Sequence, residues 1–253
     1  MPILHRIANW LANRVPLGRR GHRDLLETVL RQLPLATYWR LREQGFSPGG
    51  IVDIGAHDGD WTRTIKGIFP LAPTLMIEAR EEQEPILQRT CAELSKVDHA
   101  IALLGSKASK SVQFQISGTG SSIYPERSDA PRVPRSMPMQ TLDDIVAKFN
   151  RLTPPLFLKL DIQGGELDCL RGGKATLLKS EVIQLEIALL NYNEGAPQAA
   201  ETIEFMDAEG FSIFDVAGYV RPNGINLVQI DIIFVAKTSK LRPEFFRFNS
   251  SQR

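Results

Sequence analysis

Short apolar runs alternate with helix-spaced patterns from residue 51 onward. Runs at 51–54 (IVDI), 74–78 (TLMIE), 97–103 (VDHAIAL), 156–161 (LFLKLD) and 182–188 (VIQLEIA) have the length and apolar content of strands. Stretches at 60–68, 82–94, 141–149 and 165–178 carry the patterns of helices. Alternation of this kind is what βαβ units produce, so the chain is expected to build an α/β fold on a parallel sheet. A helix near 198–209 follows, then FSIFDVA (211–217) and VQIDIIFVA (228–236). The Pro-Asn-Gly inside the connecting GYVRPNGIN makes this last pair an antiparallel hairpin, for seven strands in all.

Two segments depart from the pattern. In residues 3–15, Ile3, Leu4, Ile7, Trp10, Leu11 and Val15 recur at helical spacing, and the first 42 residues carry eight arginines against Asp24 and Glu27. Two readings stay open for this helix: packing on the domain or on a homodimer partner, or lying on a membrane surface near a lipid-linked substrate. Residues 105–136 are dominated by Ser, Gly and Pro, with one strand-like run at 111–116. So long a loop is either disordered or a binding loop, and a substrate-facing lid is the expectation. The organisation is therefore an N-terminal helical extension (1–45), one α/β domain (46–240) and a C-terminal tail (241–253).

Composition narrows the partners. Lys and Arg number 30 against 29 Asp and Glu, so no overall field favours nucleic acid, and a small or neutral partner is expected. Cys91 and Cys169 sit in no metal-ligand or disulfide pattern, which fits a reducing cytoplasm. Arg6, Asn9, Asn13 and Arg14 interrupt any signal-peptide core. No apolar run approaches the roughly 20 residues a membrane span needs.

Candidate chemistry gathers at strand ends. IVDIGAHDGD (51–60) puts Asp53 at the end of the first strand and Gly55 and Gly59 in the turn after it, where the backbone must bend sharply beside a ligand. The spacing is GxxxG, short of a dinucleotide fingerprint, and no Gly-Lys-Ser/Thr follows. Asp53, Asp58 and Asp60 would repel a pyrophosphate, whereas S-adenosylmethionine carries a cationic sulfonium and ammonium and no phosphate. Glu78 ends the second strand where an acid takes hydrogen bonds from a ribose diol. His99, on the third strand, stands where an adenine edge would lie. Asp161 ends the fourth strand in LKLDIQGGELDCLRGG (158–173), read as an acid with no lysine, histidine or cysteine beside it. Asp53, Glu78 and Asp161 would thus line one rim. Glu166 begins the next helix, and Glu186 lies in an apolar strand where an unpaired carboxylate would be costly.

Taken with IVDIGAHDGDWT, MIEA, HAIAL, GSSIY, TLDDI, LKLDIQGGELDCLRGG and VIQLEIALLNY, in that order over residues 51 to about 236, the sequence resembles the FkbM-type methyltransferase family. That family is a branch of the class I S-adenosylmethionine-dependent enzymes. The resemblance implies a doubly wound, Rossmann-like sheet with a terminal antiparallel hairpin, and methylation of a hydroxyl, often on a sugar or a secondary metabolite. It implies that Asp53, Gly55, Ala56 and Gly59, with Asp58 among them, hold the amino-acid part of the cofactor. Glu78 would match the ribose acid, followed by Ala79 where many relatives have Pro. His57 stands where relatives often have Asn.

Asp161 is the first candidate for the base that takes the acceptor's proton, with Glu186 and His99 behind it. Holding the cofactor ammonium is its other expected role. A divalent metal bridging Asp161 and Glu186 or Glu166 is an alternative means of activation, although no spacing specifies a metal site. An NAD-linked oxidoreductase and a non-catalytic nucleoside- or glycan-binding module are the competing readings. Residues 105–136, the LLNYNEG segment with Tyr192 and Asn193, and the GYVRPNG loop with Arg221 are expected to shape the pocket of a hydroxyl-bearing small-molecule or glycan acceptor.

Overall fold

A computed structural model describes residues 33–243 and 245–248. In chain order its first half comprises α1 (Leu33–Glu43), β1 (Gly50–Ile54), α2 (Asp60–Ile68), β2 (Thr74–Glu78), α3 (Glu84–Glu93), β3 (Val97–Ile101), β4 (Leu103–Leu104), β5 (Ser109–Ile116) and β6 (Val133–Gln140). There follow α4 (Leu142–Val146), β7 (Leu156–Leu160), α5 (Glu166–Arg171), α6 (Lys174–Leu177), β8 (Ser180–Ala188), α7 (Ala199–Ala208), β9 (Phe211–Val220) and β10 (Gln229–Ala236). The helix expected over 3–15 lies outside the described residues.

Every residue of β1, β2 and β7 is buried, which is why these strands read as unbroken apolar runs. Their alternate residues serve two cores. Val52, Ile54, Leu158 and Leu160 point to Leu142, Leu167, Leu170 and Met206 of the helices on one face. Ile51 and Phe157 point to Tyr38, Leu41, Ile65 and Ile68 of α1 and α2 on the other. The sheet is thus doubly wound, with strand order β3-β2-β1-β7-β8-β10-β9. Strands β3, β2, β1, β7 and β8 run parallel, and β10 runs antiparallel between β8 and β9. Strand order reverses between β1 and β7, where an open α/β sheet leaves its ligand crevice.

Helix α1 is tied to the sheet by a polar contact inside this apolar layer. The Tyr38 hydroxyl donates to Gln184 Oε1 at 2.7 Å and accepts the Trp61 Nε1–H at 2.8 Å. The single helix expected over 165–178 is instead two, α5 and α6, with Gly172 and Gly173 at the elbow. A Cβ on Gly172 would meet the Gly105 carbonyl oxygen at 2.2 Å, and one on Gly173 would meet Leu142 at 2.7 Å. Bare backbone lets the elbow press against neighbours that a side chain would displace.

The segment 105–136 keeps an irregular stretch at 117–132, but β5 forms over the run expected as a strand and β6 begins at its end, and with β4 they make a second sheet in the order β4-β6-β5. Strand β6 runs antiparallel to β5 and parallel to β4. Its two prolines in VPRSMPMQ hide it from the sequence pattern. They are tolerated because β4 pairs only with Met139 and Gln140, leaving the rest of that side of β6 unpaired. Among the described residues no helix is long and apolar enough to cross a membrane.

Candidate active site

A cleft of about 360 Å3 opens at the carboxyl ends of β1, β2 and β7. Gly55, Glu78, Asp161 and Glu186 border its floor, and Phe114 and Ile123 of the small-sheet region wall its far side. The pieces are held in place by local backbone geometry. Gly55 has φ 79°, in the left-handed region, and a Cβ there would stand 1.9 Å from the Asp161 carbonyl oxygen. Only glycine lets the turns after β1 and β7 approach so closely.

Glu78 closes the second corner. Its Oε2 accepts the His57 N–H at 2.9 Å, and its Oε1 accepts the N–H and Nε–H of Arg80 at 3.0 and 3.2 Å. The carboxylate is buried, fixed by the turns on both sides, and keeps acceptor capacity toward the cleft, as a site for a nucleoside diol requires. Ala79 lines the cleft beside it.

At the third corner stands a cluster of acids around one cation. Lys159 is buried with its Nζ 3.2 Å from Asp161 Oδ2 and 3.5 Å from Asp53 Oδ1. Burial opposes its charge, but Asp161 and Asp53 outweigh burial and hold its pKa above the usual lysine value. Burial likewise opposes the Asp161 charge, yet Lys159 and a hydrogen bond from Glu186 bring that carboxyl below the usual range. Glu186 moves the other way: burial first, then the Asp161 charge, push it well above an ordinary glutamic acid. The two carboxyls are thus pulled apart, Asp161 toward its charged form and Glu186 toward its protonated one. Gln163 Nε2 bridges them, donating to Asp161 Oδ1 at 3.2 Å and to Glu186 Oε1 at 2.9 Å. Asp231 lies opposite Glu186 on β10, pushed up to about 6 by burial and then by Asp161. Burial raises Glu166 to about 7.

Gln163 has φ 54°, left-handed for a non-glycine residue, a conformation that the surroundings must enforce. Its carbonyl accepts the Ser122 Oγ–H at 2.7 Å and the Asn193 Nδ2–H at 2.8 Å. The LDIQGG turn is thus clamped by the small-sheet region on one side and by LLNYNEG on the other. Tyr192 joins the cluster through its hydroxyl, which donates to Glu186 Oε1 at 3.1 Å.

Several expected positions fall elsewhere. Asp53 is fully buried beneath the floor, where its Oδ2 accepts the Thr62 hydroxyl at 2.7 Å; Ile54, not Asp53, ends β1. Burial pushes its carboxyl up against the pull of Lys159. Ala56 packs with Met76, Leu87 and Val97 away from the cleft. Gly59, at φ 82°, precedes α2 and sits against Thr90 and Met76. Asp58 takes the Asp60 N–H at 3.2 Å on the surface of the same turn. His99, expected at the adenine and as a reserve base, does not line the cleft. It lies mid-strand and faces α3, with Nδ1 3.6 Å from Cys91 Sγ and Nε2 3.5 Å from Glu84. Leu103 and Leu104 border the cleft beyond β3 instead.

Lys159 corrects the view of Asp161 as an acid without a lysine. Residues two apart on a strand share a face, so Lys159 and Asp161 were paired by position. Gln163 and Asp231 carried no comparable signal, the first in a turn, the second in an apolar strand across the sheet.

No curated protein matches the chain. Among solved structures it is similar to the precorrin-6y C5,15-methyltransferase of Geobacter metallireducens GS-15, at 15% identity and a TM-score of 0.45, covering 81% of this chain and 87% of that one. It is also similar to the magnesium protoporphyrin IX methyltransferase ChlM of Synechocystis PCC 6803 with bound SAM, at 12% identity and a TM-score of 0.44, covering 81% and 79%. Residues 53–213 match the family model of the methyltransferase FkbM domain. That span runs from the acid beneath the glycine turn into β9, taking in Glu78, Lys159, Asp161 and Glu186, and the chain belongs to the FkbM methyltransferase family.

Proposed function

We propose that this chain methylates a hydroxyl of a small polar or glycan acceptor, with S-adenosylmethionine as the methyl donor. The observation that carries the reading is Asp161: a carboxyl at the cleft floor, 3.2 Å from the buried Lys159 Nζ and bridged to Glu186 by Gln163 Nε2. When bound, the cofactor supplies a methyl group made electrophilic by a sulfonium centre. The residues present fit it. Glu78 offers acceptors to a ribose diol, Gly55 exposes backbone, and the cleft floor is anionic where a cationic group would sit. Leu103, Leu104 and Phe114 provide an apolar wall.

Transfer to oxygen needs alignment and a proton acceptor. The clamped Gln163 turn and the small sheet hold the walls in fixed register, and alignment of this kind lowers barriers by roughly 7 to 11 kcal/mol. Asp161 is the group that accepts the hydroxyl proton. Thr119, Ser121 and Gln229 present polar atoms to a hydroxylated acceptor from the cleft lining.

The test is methyl transfer from labelled cofactor to small-molecule and glycan hydroxyls in cell extract, read by mass spectrometry. Asp161→Asn is expected to lower kcat by ~10²-fold or more while cofactor affinity stays within a few-fold. Near-normal kcat with weakened cofactor binding would make Asp161 the holder of the cofactor ammonium instead.

A further inference from the structure

Glu186 stands between two cavities. One is the cleft; the other is a small cavity lined by Glu166, Tyr192, Asn193 and Thr202 among others. Its volume is about 10 Å3, room for roughly one water molecule. Asn193 is 4% exposed. Its Nδ2 is committed to the Gln163 carbonyl, but its Oδ1 has no hydrogen-bond partner among the described residues. An acceptor left so costs ~1–3 kcal/mol, which a donor inside the cavity would recover. Leu190 and Asn191, both exposed, also line the cavity, so it reaches the surface.

We propose that this cavity binds one water linking Glu186 to Glu166, and that the proton released by the acceptor hydroxyl leaves the cleft through it. The proposal rests on the hydroxyl-methylating reading above. A carboxyl that Lys159 holds below its usual range keeps a proton poorly, so a proton arriving on Asp161 needs an exit. As the acceptor oxygen gains the methyl carbon, the sulfur keeps the electron pair of the broken C–S bond and the hydroxyl proton passes to Asp161. With Asp161 protonated and no longer accepting from it, the Glu186 carboxyl turns its own proton to the water, which passes one to the Glu166 carboxylate. The Asp161 proton crosses to Glu186 and restores the starting pair. Glu166, raised by burial to about 7, is ionised often enough near neutrality to accept and then release to solvent. The ionisable groups around Glu186 are Asp161, Glu166, Asp231 and Tyr192. Only Glu166 and Tyr192 share the small cavity with it, and burial and the neighbouring acids raise the Tyr192 hydroxyl above the usual tyrosine value.

A crystal structure of the full chain that resolves waters is expected to place one within hydrogen-bond distance of Asn193 Oδ1 and of both carboxyls. A dry cavity, or a cation in it, would overturn the proposal whatever the activity. In solution, Glu166→Gln keeps an oxygen for the Ile162 N–H that Glu166 accepts at 2.8 Å but cannot take a proton. Its single-turnover methyl transfer is expected to fall ~10-fold, with unchanged cofactor Kd and a larger solvent deuterium isotope effect than the wild type. Ala188→Val, which narrows the same cavity without touching a carboxyl, is expected to act alike should Glu166→Gln not fold. Unchanged rate and isotope effect in both variants, alongside a wild type that turns over, would sink the relay alone. A wild type that binds cofactor but methylates no hydroxyl would sink the functional reading and the relay with it.

Discussion

Replacing Lys159 by Met keeps the length of the side chain and removes its charge. The wild-type ammonium lies 3.2 Å from Asp161 and 3.5 Å from Asp53. At an effective dielectric constant of ~20 each contact amounts to ~5 kcal/mol of attraction. Much of that is spent on desolvating the three groups, so the net loss follows the pattern of a buried pair deprived of one partner, ~3–5 kcal/mol. Protonation limits the damage. Neutralising a carboxyl of ordinary pKa at pH 7 costs ~4 kcal/mol, close to the same figure.

The pH dependence carries the sign. In the wild type the folded pKa of Asp161 is lowered, so its contribution is present above the ordinary carboxylate pKa and is lost as pH falls through the folded value. Without Lys159 the folded pKa rises above the unfolded one. The penalty then exists above the ordinary pKa and shrinks on acidification, by up to ~1.4 kcal/mol per pH unit per carboxyl. Glu166, Glu186 and Asp231 are common to both proteins and cancel to first order. Urea unfolding of both at pH 7 and pH 5 measures this, with a Tm lower by roughly 10 °C at pH 7 as a coarser check. A deficit below about 1 kcal/mol at pH 7, typical of an exposed pair, or one that grows toward pH 5, would refute the placement of Lys159 as counter-ion.

Two further substitutions probe other joints. Gly55→Ala puts a methyl 1.9 Å from the Asp161 carbonyl oxygen at a φ of 79°, and a loss of ~2–5 kcal/mol with weakened cofactor binding is expected by denaturant melt and calorimetry. Unaltered stability and affinity would contradict the close approach of the two turns. Tyr38→Phe leaves the Trp61 Nε1–H and Gln184 Oε1 without their shared partner. It should destabilise by ~1–3 kcal/mol while leaving cofactor Kd unchanged, and any change in Kd would mean that the α1 layer communicates with the cleft.

The large sheet was legible because its parallel strands are buried on both faces, so apolar runs such as LFLKLD announce themselves. Of the small sheet only the β5 run was legible: at β6, Pro134 and Pro138 argue against a strand, and what permits them is the shortness of β4, which no local pattern shows. At the site, Gly55, Glu78 and Asp161 were readable as strand-end residues beside a glycine turn. His99 went astray because its strand ends two residues later, at Ile101, and a mid-strand side chain faces a helix rather than the crevice. Asp53 sits one residue short of its strand's end and so belongs to the foundation under Lys159. Lys159 itself could have been found from strand periodicity alone, since it precedes Asp161 by two.

The hydrogen bonds from Ser122 and Asn193 to a single carbonyl, that of Gln163, also bear on traffic. They fasten the small-sheet region and the LLNYNEG segment to one point of the cleft floor, so lifting the Ser122 segment from the turn that carries Asp161 would break a hydrogen bond, worth ~0.5–1.5 kcal/mol net. The cost of opening the cleft on that side therefore falls on the same turn that presents Asp161.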